Sequence, residues 1–387
     1  MKIAMVALHT GPPAELDEAA SRRVAHVAEL SSSLTALGHE ITVYTGGRSI
    51  GAAVSTRTPE GYQVVHLPSG ARGGKAGRLK GAGDFLHGRW RAAPPDLVHA
   101  HQWPSGLVAL HAAVPLDLPV VQNFHSQSSD HLSDHVAAQR VIGHEATRIV
   151  ATSASEVARL IKAGVRRTKI TVVPYGVDLS RFGPRGPREG RDLPHRILAV
   201  GVGRPADGVG DLVVALRGVP NTELVVVGDP AVSAASSSWA QRLVNHARVH
   251  GVVNRVRLVG WVPRAAMASL LRSADVVVCA ARSEPSGIVA LEAMACGVAV
   301  VATSVGVLPE VVLDRVTGVL VPPRSPAALA RALRELLGNK VRLNSYGVAG
   351  YDRVLARYST ELLADEVTRL YQRAVAASSG RDVGARA

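Results

Sequence analysis

Short apolar runs rich in valine, isoleucine and alanine recur along the chain, separated by longer stretches that suit helices. Short runs of this kind are typical of strands buried on both faces, as in a parallel sheet covered by helices. The predicted strands are residues 2–7, 41–45, 62–67, 95–101, 119–125, 148–152, 170–173, 196–200, 224–228, 256–258, 276–280, 298–303, 306–310 and 317–321. This alternation predicts an α/β fold with parallel sheets.

The length of the chain and one change in composition predict two domains. A chain of 387 residues is too long for a single core. Residues 183–191 contain Gly-Pro-Arg-Gly-Pro-Arg-Glu-Gly, which is typical of a linker. We therefore expect an N-terminal domain over residues 1–182 and a C-terminal domain over residues 192–358. A helix over residues 359–375 and a disordered tail over residues 376–387 follow.

One stretch of the second half combines strand, loop, helix and strand. The apolar runs 276–280 and 298–303 read as neighbouring parallel strands in the interior of a sheet. Between them, Pro285 and Gly287 break the chain before a helix rich in alanine and leucine, and Gly297 stands where a glycine ends a helix. Ligands bind at the carboxyl ends of strands in such sheets, which makes the loop of this stretch a candidate site.

Two carboxylates in this stretch indicate ligand binding. Glu284 follows the first strand, and Glu292 lies inside an apolar helix, where an unpaired charge is costly. The helix N-terminus is expected to present free N–H groups of Ser286, Gly287 and Ile288 to a phosphate or a sugar oxygen. A long ligand with an anionic middle and hydroxyls at both ends would satisfy these features. The alternative is a solvated Glu284 and a Glu292 that is a buried ion-pair partner.

The spacing of the two glutamates, followed by Ala-Met-Ala-Cys-Gly, resembles the E-x7-E signature of retaining glycosyltransferases of the GT-B fold, family 4 (group 1). The resemblance implies two Rossmann-like domains whose parallel sheets face each other across a cleft. The second domain would hold a nucleotide-sugar donor, and the first would hold the acceptor and receive the helix 359–375. In this family the first glutamate contacts hydroxyls of the donor sugar and the second holds the nucleotide ribose.

Three further motifs match the same family. Phe124-His125 matches a Phe-His position beside the transferred sugar and the acceptor. The arginine of Val202-Gly203-Arg204 would bind the donor diphosphate, and the loop that contains Val262 would frame the base. The resemblance thus implies a catalytic set of His125, Arg204 and Glu284, and a donor-binding set of Arg204, Val262, Glu284, Ser286, Gly287, Ile288 and Glu292.

The chain departs from the family pattern at three places. Ser21 and Arg22 occupy the positions of a Gly-Gly pair that lets the backbone approach the diphosphate. No lysine occurs between Lys169 and Lys340, although the family normally has a second diphosphate ligand of this type there. Ser286 stands where phenylalanine is common. An alternative function is therefore a catalytically weak homologue that binds a nucleotide sugar or assists another enzyme.

Composition and charge narrow the partners. A net charge of +13 invites a nucleic-acid function, but aromatic residues are 4% of the chain and no recognition motif occurs, so we expect no nucleic acid. Residues 72–91 contain six basic residues and only one acidic residue, amid glycines, which predicts a mobile basic loop. This loop is either simply solvated or contacts an anionic acceptor or acidic lipid.

The remaining sequence signals concern location and cofactors. Residues 1–7 are too short for a signal peptide, and no apolar run reaches the roughly 18 residues of a membrane span. These features predict a cytoplasmic protein whose only contact with a membrane would be peripheral. Cys279 and Cys296 lie in apolar elements and read as buried free thiols. We expect neither a metal nor another cofactor.

Histidines at strand ends complete the candidate residues. His99 and His101 end one predicted strand, and we interpret both as structural. The polar stretch 126–140, with His131 and His135, would face the acceptor.

The combined prediction is a hexosyl- or N-acetylhexosaminyltransferase that transfers sugar to an acceptor hydroxyl with retention of configuration. A third function, that of an NAD-dependent oxidoreductase, is disfavoured because Ala206 replaces the third glycine of the dinucleotide fingerprint.

Overall fold

The computed structural model describes residues 1–8, 18–46, 53–68, 74–125, 133–202, 207–228 and 238–384. The chain divides into two compact units. The first comprises Met1–Pro174 together with Thr360–Ala387, and the second comprises Tyr175–Ser359. None of the helices in the described ranges is long and apolar enough to cross a membrane.

Within the described residues, the first unit is built on a sheet of eight strands in the order β3-β4-β2-β1-β5-β6-β7-β8. Neighbouring strands are parallel, except that β3 is antiparallel to β4. The strands are β1 (Lys2–Ala7), β2 (Glu40–Gly46), β3 (Val54–Arg57), β4 (Gln63–Leu67), β5 (Leu97–His101), β6 (Val120–Asn123), β7 (Arg148–Ala151) and β8 (Ile170–Val172). The helices between them are α1 (Glu18–Ala36), α2 (Gly74–Ala92), α3 (Trp103–Ala113), α4 (Ser133–Glu145) and α5 (Ala154–Lys162).

The described part of the second unit has a parallel sheet of six strands in the order β11-β10-β9-β12-β13-β14. Its strands are β9 (His195–Val202), β10 (Thr222–Gly228), β11 (Val256–Val259), β12 (Val276–Cys279), β13 (Ala299–Thr303) and β14 (Gly318–Val321). Its helices are α6 (Val209–Leu216), α7 (Ser238–Val249), α8 (Arg264–Ser273), α9 (Ile288–Ala295), α10 (Leu308–Val311), α11 (Pro326–Leu337) and α12 (Lys340–Arg357). The predicted strand over residues 306–310 is wrong, because α10 begins within it and its proline lies in the first turn of that helix. Because β12 is central in the sheet, the loop that carries Glu284 lies in the middle of the edge formed by the carboxyl ends of the strands.

The central strands of each sheet are buried on both faces, as the uninterrupted apolar runs predict. Side chains alternate between the two faces of a strand. In β1, Ala4 and Val6 therefore join one apolar cluster, and Ile3 and Met5 join the cluster on the opposite face. The second unit likewise has two clusters, with Val277 in one and Val276 in the other. Burial on both faces explains why residues 3–7 of β1 and all four residues of β12 are apolar.

The last helix, α13 (Thr360–Gly384), packs on the sheet of the first unit. Leu363, Val367 and Tyr371 are buried in the same cluster as Ile3 and Met5. The helix is longer than the sequence prediction, which ended it at residue 375 and expected a disordered tail over 376–387. No proline follows the packed part of the helix, so its hydrogen bonding continues to Gly384, while residues 385–387 lie outside the described chain.

The boundary between the units differs from the predicted one at residue 182. Tyr175 to Phe182 belongs to the second unit because Val177 and Phe182 are fully buried in its core. The predicted linker is also part of this unit. Arg272 donates from Nε to the backbone O of Pro187 at 2.9 Å and from Nη1 to that of Gly183 at 3.1 Å. These bonds hold a segment whose composition alone is typical of a flexible connection.

The basic segment 72–91 is not a mobile loop over its described part, because residues 74–92 form α2. Leu86 and Trp90 are buried between this helix and its neighbours. A Cβ at Gly83 would lie 2.5 Å from His111 of α3, so glycine here allows the two helices to pack closely. The glycines of this segment indicate a loop from the sequence alone, but Gly83 instead allows close packing of two helices.

Candidate active site

A carboxylate closes the loop between β12 and α9. Glu284 accepts three hydrogen bonds on Oε1, from the backbone N and the Oγ of Ser286 at 2.9 and 2.8 Å and from the N of Gly287 at 3.0 Å. Gly287 has a φ of 66°, which favours glycine and turns the chain into α9. A carboxylate at a helix N-terminus is stabilised by N–H donors and by the helix dipole. Glu284 is therefore held in one orientation at the carboxyl end of β12.

These bonds correct one expectation from the sequence. The N–H groups of Ser286 and Gly287 are not free for a ligand, because both are donated to Glu284. The N–H of Ile288 faces the Oγ of Ser286 at 3.5 Å. A ligand at this helix end meets a carboxylate, which accepts hydrogen bonds from hydroxyls and repels phosphate.

Two glycines let neighbouring loops approach the Glu284 loop closely. Gly306, after β13, has a φ of 55°, and a Cβ there would lie 2.0 Å from the backbone O of Glu284. Gly208, before α6, has a φ of 71°, and a Cβ there would lie 1.9 Å from the backbone O of Ala280. The N of Val307 donates to the backbone O of Glu284 at 3.0 Å. Loops from three strand ends thus converge on this site.

Glu292 is buried in α9 and paired with an arginine. Its side chain is 7% exposed, and its Oε1 lies 2.8 Å from Nη1 of Arg264, the first residue of α8. The guanidinium of Arg264 also lies over the ring of Phe182, 5.2 Å from its centroid. Val262, two residues before Arg264, is half-buried against the same core. Glu292 is thus a buried ion-pair partner.

A second arginine lies at the same edge of the sheet. Arg282, in the loop between β12 and α9, has Nη2 3.9 Å from Oδ2 of Asp211 in the first turn of α6. The arginine side chain is 39% exposed. An ion pair this long and this exposed is weak, so an anionic ligand could displace the aspartate.

Histidines cluster at the carboxyl ends of β5 and β6 in the first unit. Nδ1 of His101 lies 2.8 Å from Nε2 of His125, and the two rings are stacked. His26 of α1 adds a third ring, whose centroid is 5.3 Å from that of His125. His125 has a φ of 48°, and its N donates to Oδ1 of Asn123 at 3.0 Å. We call His26, His101 and His125 the histidine cluster.

Burial keeps several of these imidazoles neutral. Burial lowers the pKa of His26 to about 4. Burial, followed by the nearby His26, lowers the pKa of His99 to about 3. Burial and the neighbouring histidines also lower the pKa of His101 well below its ordinary value. Neutral imidazole carries one donor and one acceptor nitrogen, so these rings can bond a hydroxyl or a metal ion near neutral pH.

Known proteins resemble the chain over nearly its whole length. The model of group 1 glycosyl transferases matches residues 189–353, and that of the glycosyl transferase 4-like domain matches residues 24–176. The D-inositol 3-phosphate glycosyltransferase of Kineococcus radiotolerans is 33% identical, and the alignment covers 98% of each chain. The chain belongs to the group 1 glycosyltransferases. This confirms the family that the sequence motifs indicated.

Two further relatives fit this assignment. A glycogen synthase of Mycobacterium tuberculosis is 30% identical over 89% of each chain. The structure of a sucrose-phosphate synthase from Thermosynechococcus elongatus superimposes with a TM-score of 0.83 at 25% identity, covering 97% of this chain and 99% of that one. The predicted GT-B fold, with two parallel-sheet α/β domains, is therefore confirmed.

Several predicted residues of the glycosyltransferase lie outside the described chain. These include Arg204, the candidate diphosphate ligand. The described residues also exclude His131 and the side chains of Ser21, Arg22 and His135. Their predicted roles stay predictions.

The structure brings together residues that sequence reasoning kept apart. His99 fits its structural interpretation, because its Nδ1 lies 2.6 Å from the hydroxyl of Tyr371 in α13. His101 does more than fill the core, since it contacts His125 directly. Arg264 and His26 were missed as site residues. An arginine directly after the predicted base-framing loop was an available signal for Arg264, whereas His26 on a helix face gave none.

Proposed function

We propose that this glycosyltransferase transfers a hexosyl or N-acetylhexosaminyl group from a nucleoside-diphosphate sugar to an acceptor hydroxyl with retention of configuration. The observation that carries the proposal is the pair of fixed carboxylates, Glu284 and Glu292, at the carboxyl edge of the second sheet. The acceptor oxygen bonds to the anomeric carbon as the bond to the diphosphate oxygen breaks. The acceptor proton leaves with the diphosphate.

The two carboxylates divide the donor between them. Glu284 uses Oε1 to bind its own loop, so Oε2 is the atom that would accept a hydroxyl of the sugar. Glu292 lies a little over one turn into α9, where it would accept from the hydroxyls of the ribose. The ion pair with Arg264 holds this carboxylate in one orientation.

Arginine would supply the positive charge for the diphosphate. Arg204 has this role in the proposal, and Arg282 would take the part of the absent lysine, which its long and exposed ion pair with Asp211 supports. A guanidinium binds phosphate oxygens through two parallel bonds and stays charged. These groups stabilise the charge that develops on the leaving diphosphate and need no bound metal.

On the acceptor side of the reaction, the proposal assigns the contact with the attacking hydroxyl to His125 in the first unit. A neutral imidazole there would accept a hydrogen bond from the attacking hydroxyl, or donate one to the sugar. The name of the Kineococcus relative supports a phosphorylated polyol as the acceptor class. The glycogen synthase relative makes a growing glucan the second candidate.

The donor is identified by thermal shift against UDP-, GDP- and ADP-sugars, because a ligand that binds only the folded protein raises its melting temperature. We expect a shift with one nucleotide series and a smaller shift for Glu292→Gln. Transfer is then measured by NMR with D-inositol 3-phosphate and with a short glucan, and the anomeric coupling of the product reports retention. An inverted product would contradict the proposal.

A binding protein without transfer activity is the rival function. The missing Gly-Gly and lysine favour it, and so does the loss of two free N–H groups to Glu284. A variant with Ser21→Gly, Arg22→Gly and Asp207→Lys restores the family pattern. If the wild type binds donor but transfers to no acceptor while this variant transfers, the rival function is correct.

A further inference from the structure

Three imidazoles with metal-ligand geometry meet in the first unit. One ring nitrogen from each of His26, His101 and His125 lies within 4.8 Å of the others. The closest pair, Nδ1 of His101 and Nε2 of His125, is 2.8 Å apart. Ligand nitrogens of a tetrahedral zinc ion, each about 2.0–2.1 Å from the metal, are separated by about 3.3 Å, so shifts on the order of 1 Å suffice.

Hydrogen bonding leaves Nδ1 of His101 able to act as a metal ligand. Nε2 of the same ring has no hydrogen-bond partner among the described residues, so no bond there fixes the tautomer, and the ring can carry its proton on Nε2 while Nδ1 binds an ion. His101 is 2% exposed and His125 is 3% exposed, so water does not readily reach these rings.

The three histidines come from elements that fix their positions. His101 ends β5, His125 follows the neighbouring strand β6, and His26 lies on α1. His125 is held in a left-handed backbone conformation by the bond from its N to Asn123. A site carried by two strand ends and a helix is more rigid than one on a single loop.

We propose that the histidine cluster is a binding site for a divalent transition metal of the zinc type, with three imidazole ligands and a fourth position for water. Imidazole suits zinc, nickel, copper and cobalt, whereas magnesium and calcium prefer oxygen ligands. The bound ion takes the place of the proton between His101 and His125. Metal binding itself does not depend on the proposed function.

A consequence that does rest on the proposed function concerns regulation. An ion on His125 removes this imidazole from its contact with acceptor or sugar. Zinc at the cluster therefore inhibits transfer, and a chelator such as EDTA restores it. The predicted absence of a metal in the reaction is compatible with this site, because the ion here acts against the transfer step.

Metal binding is tested on the full chain, freed of metal with EDTA, by titration with Zn²⁺ and Co²⁺. We expect one tightly bound ion per chain and the intense visible absorption of tetrahedral Co²⁺. His26→Phe keeps a ring in place and removes its ligand nitrogen. It should weaken zinc binding at least about 100-fold, since loss of even an outer-shell partner costs 10–100-fold.

Two further variants guard the result. His101→Asn removes a second ligand, and the melting temperature without metal shows whether each variant is folded. His246→Ala is the matched control, because His246 and His250 in the second unit also have adjacent rings, with centroids 4.6 Å apart. Binding that survives His26→Phe and His101→Asn but disappears in His246→Ala would overturn the proposal, as would weak binding with an octahedral Co²⁺ spectrum. Zinc that binds at the cluster without slowing transfer removes the regulatory consequence alone.

Discussion

At the scale of single residues, Glu292 shows how one side chain can satisfy two interpretations. Its burial and its ion pair with Arg264 fit the alternative that the sequence left open. The same geometry also suits a ligand site, because an arginine paired with a carboxylate fixes the orientation of the carboxylate. The sequence identified the glutamate from its apolar surroundings, but its partner lies on another helix and only the fold brings them together.

Glu292→Gln should weaken donor binding more than it weakens the fold. An amide cannot accept from two ribose hydroxyls, and loss of one charge-assisted contact costs about 1.5–3 kcal/mol, or one to two decades of affinity. Donor affinity is measured by calorimetry and stability by thermal melting. A large fall in melting temperature with unchanged donor affinity would mean that Glu292 only stabilises the core.

His125 calls for a variant that respects its backbone. At a φ of 48°, asparagine is tolerated better than alanine, so His125→Asn is the cleaner substitution. We expect turnover to fall by about 10²–10⁴-fold, the usual contribution of a positioned acid or base, with donor affinity nearly unchanged. Steady-state kinetics and donor titration measure the two quantities. Near-normal turnover with the true acceptor would remove His125 from the site.

At the scale of elements, sequence patterns predicted most of the buried strands, whereas the roles of several glycines were interpreted wrongly or missed. Strand β3, Val-Ser-Thr-Arg, is exposed throughout and had no apolar run to reveal it. The helix α2 was read as a loop because of its glycines. Gly208 and Gly306 were not recognised as site residues, because their role depends on a backbone oxygen of a loop far away in sequence. Sequence patterns report burial, whereas close backbone approach needs the fold.

Gly306→Ala should disturb the donor site through its loop. The added Cβ would meet the backbone O of Glu284 at 2.0 Å, so one of the two loops must move. Gly251→Ala is a matched control, because its φ of 70° is similarly strained and nothing lies within 4 Å of its Cβ. The control should lose about 1–2 kcal/mol of stability and keep its donor affinity. Gly306→Ala should lose more stability and donor affinity as well, and equal effects in the two variants would contradict this reading of the loop.

At the scale of the whole molecule, the two units differ in how many segments of the chain build them. The second unit is continuous from residue 175 to 359, whereas the first needs both ends of the chain. Leu363, Val367, Leu370 and Tyr371 of α13 are at most 4% exposed in its core. Burial of a large apolar side chain contributes about 1.5–3 kcal/mol, so these four approach the whole stability of a typical domain, about 5–15 kcal/mol.

We therefore expect residues 175–359 to fold when expressed alone and residues 1–174 to fail. Fusing residues 360–384 ahead of residue 1 through a flexible linker should restore a cooperative melting transition to the first unit, because the same apolar side chains return to the core. The same fusion carrying Leu370→Asp and Tyr371→Asp is the control, since buried unpaired carboxylates prevent docking of the helix. Circular dichroism during heating distinguishes the four proteins. If residues 1–174 alone melt as cooperatively as the fusion, α13 is not required for the fold of the first unit.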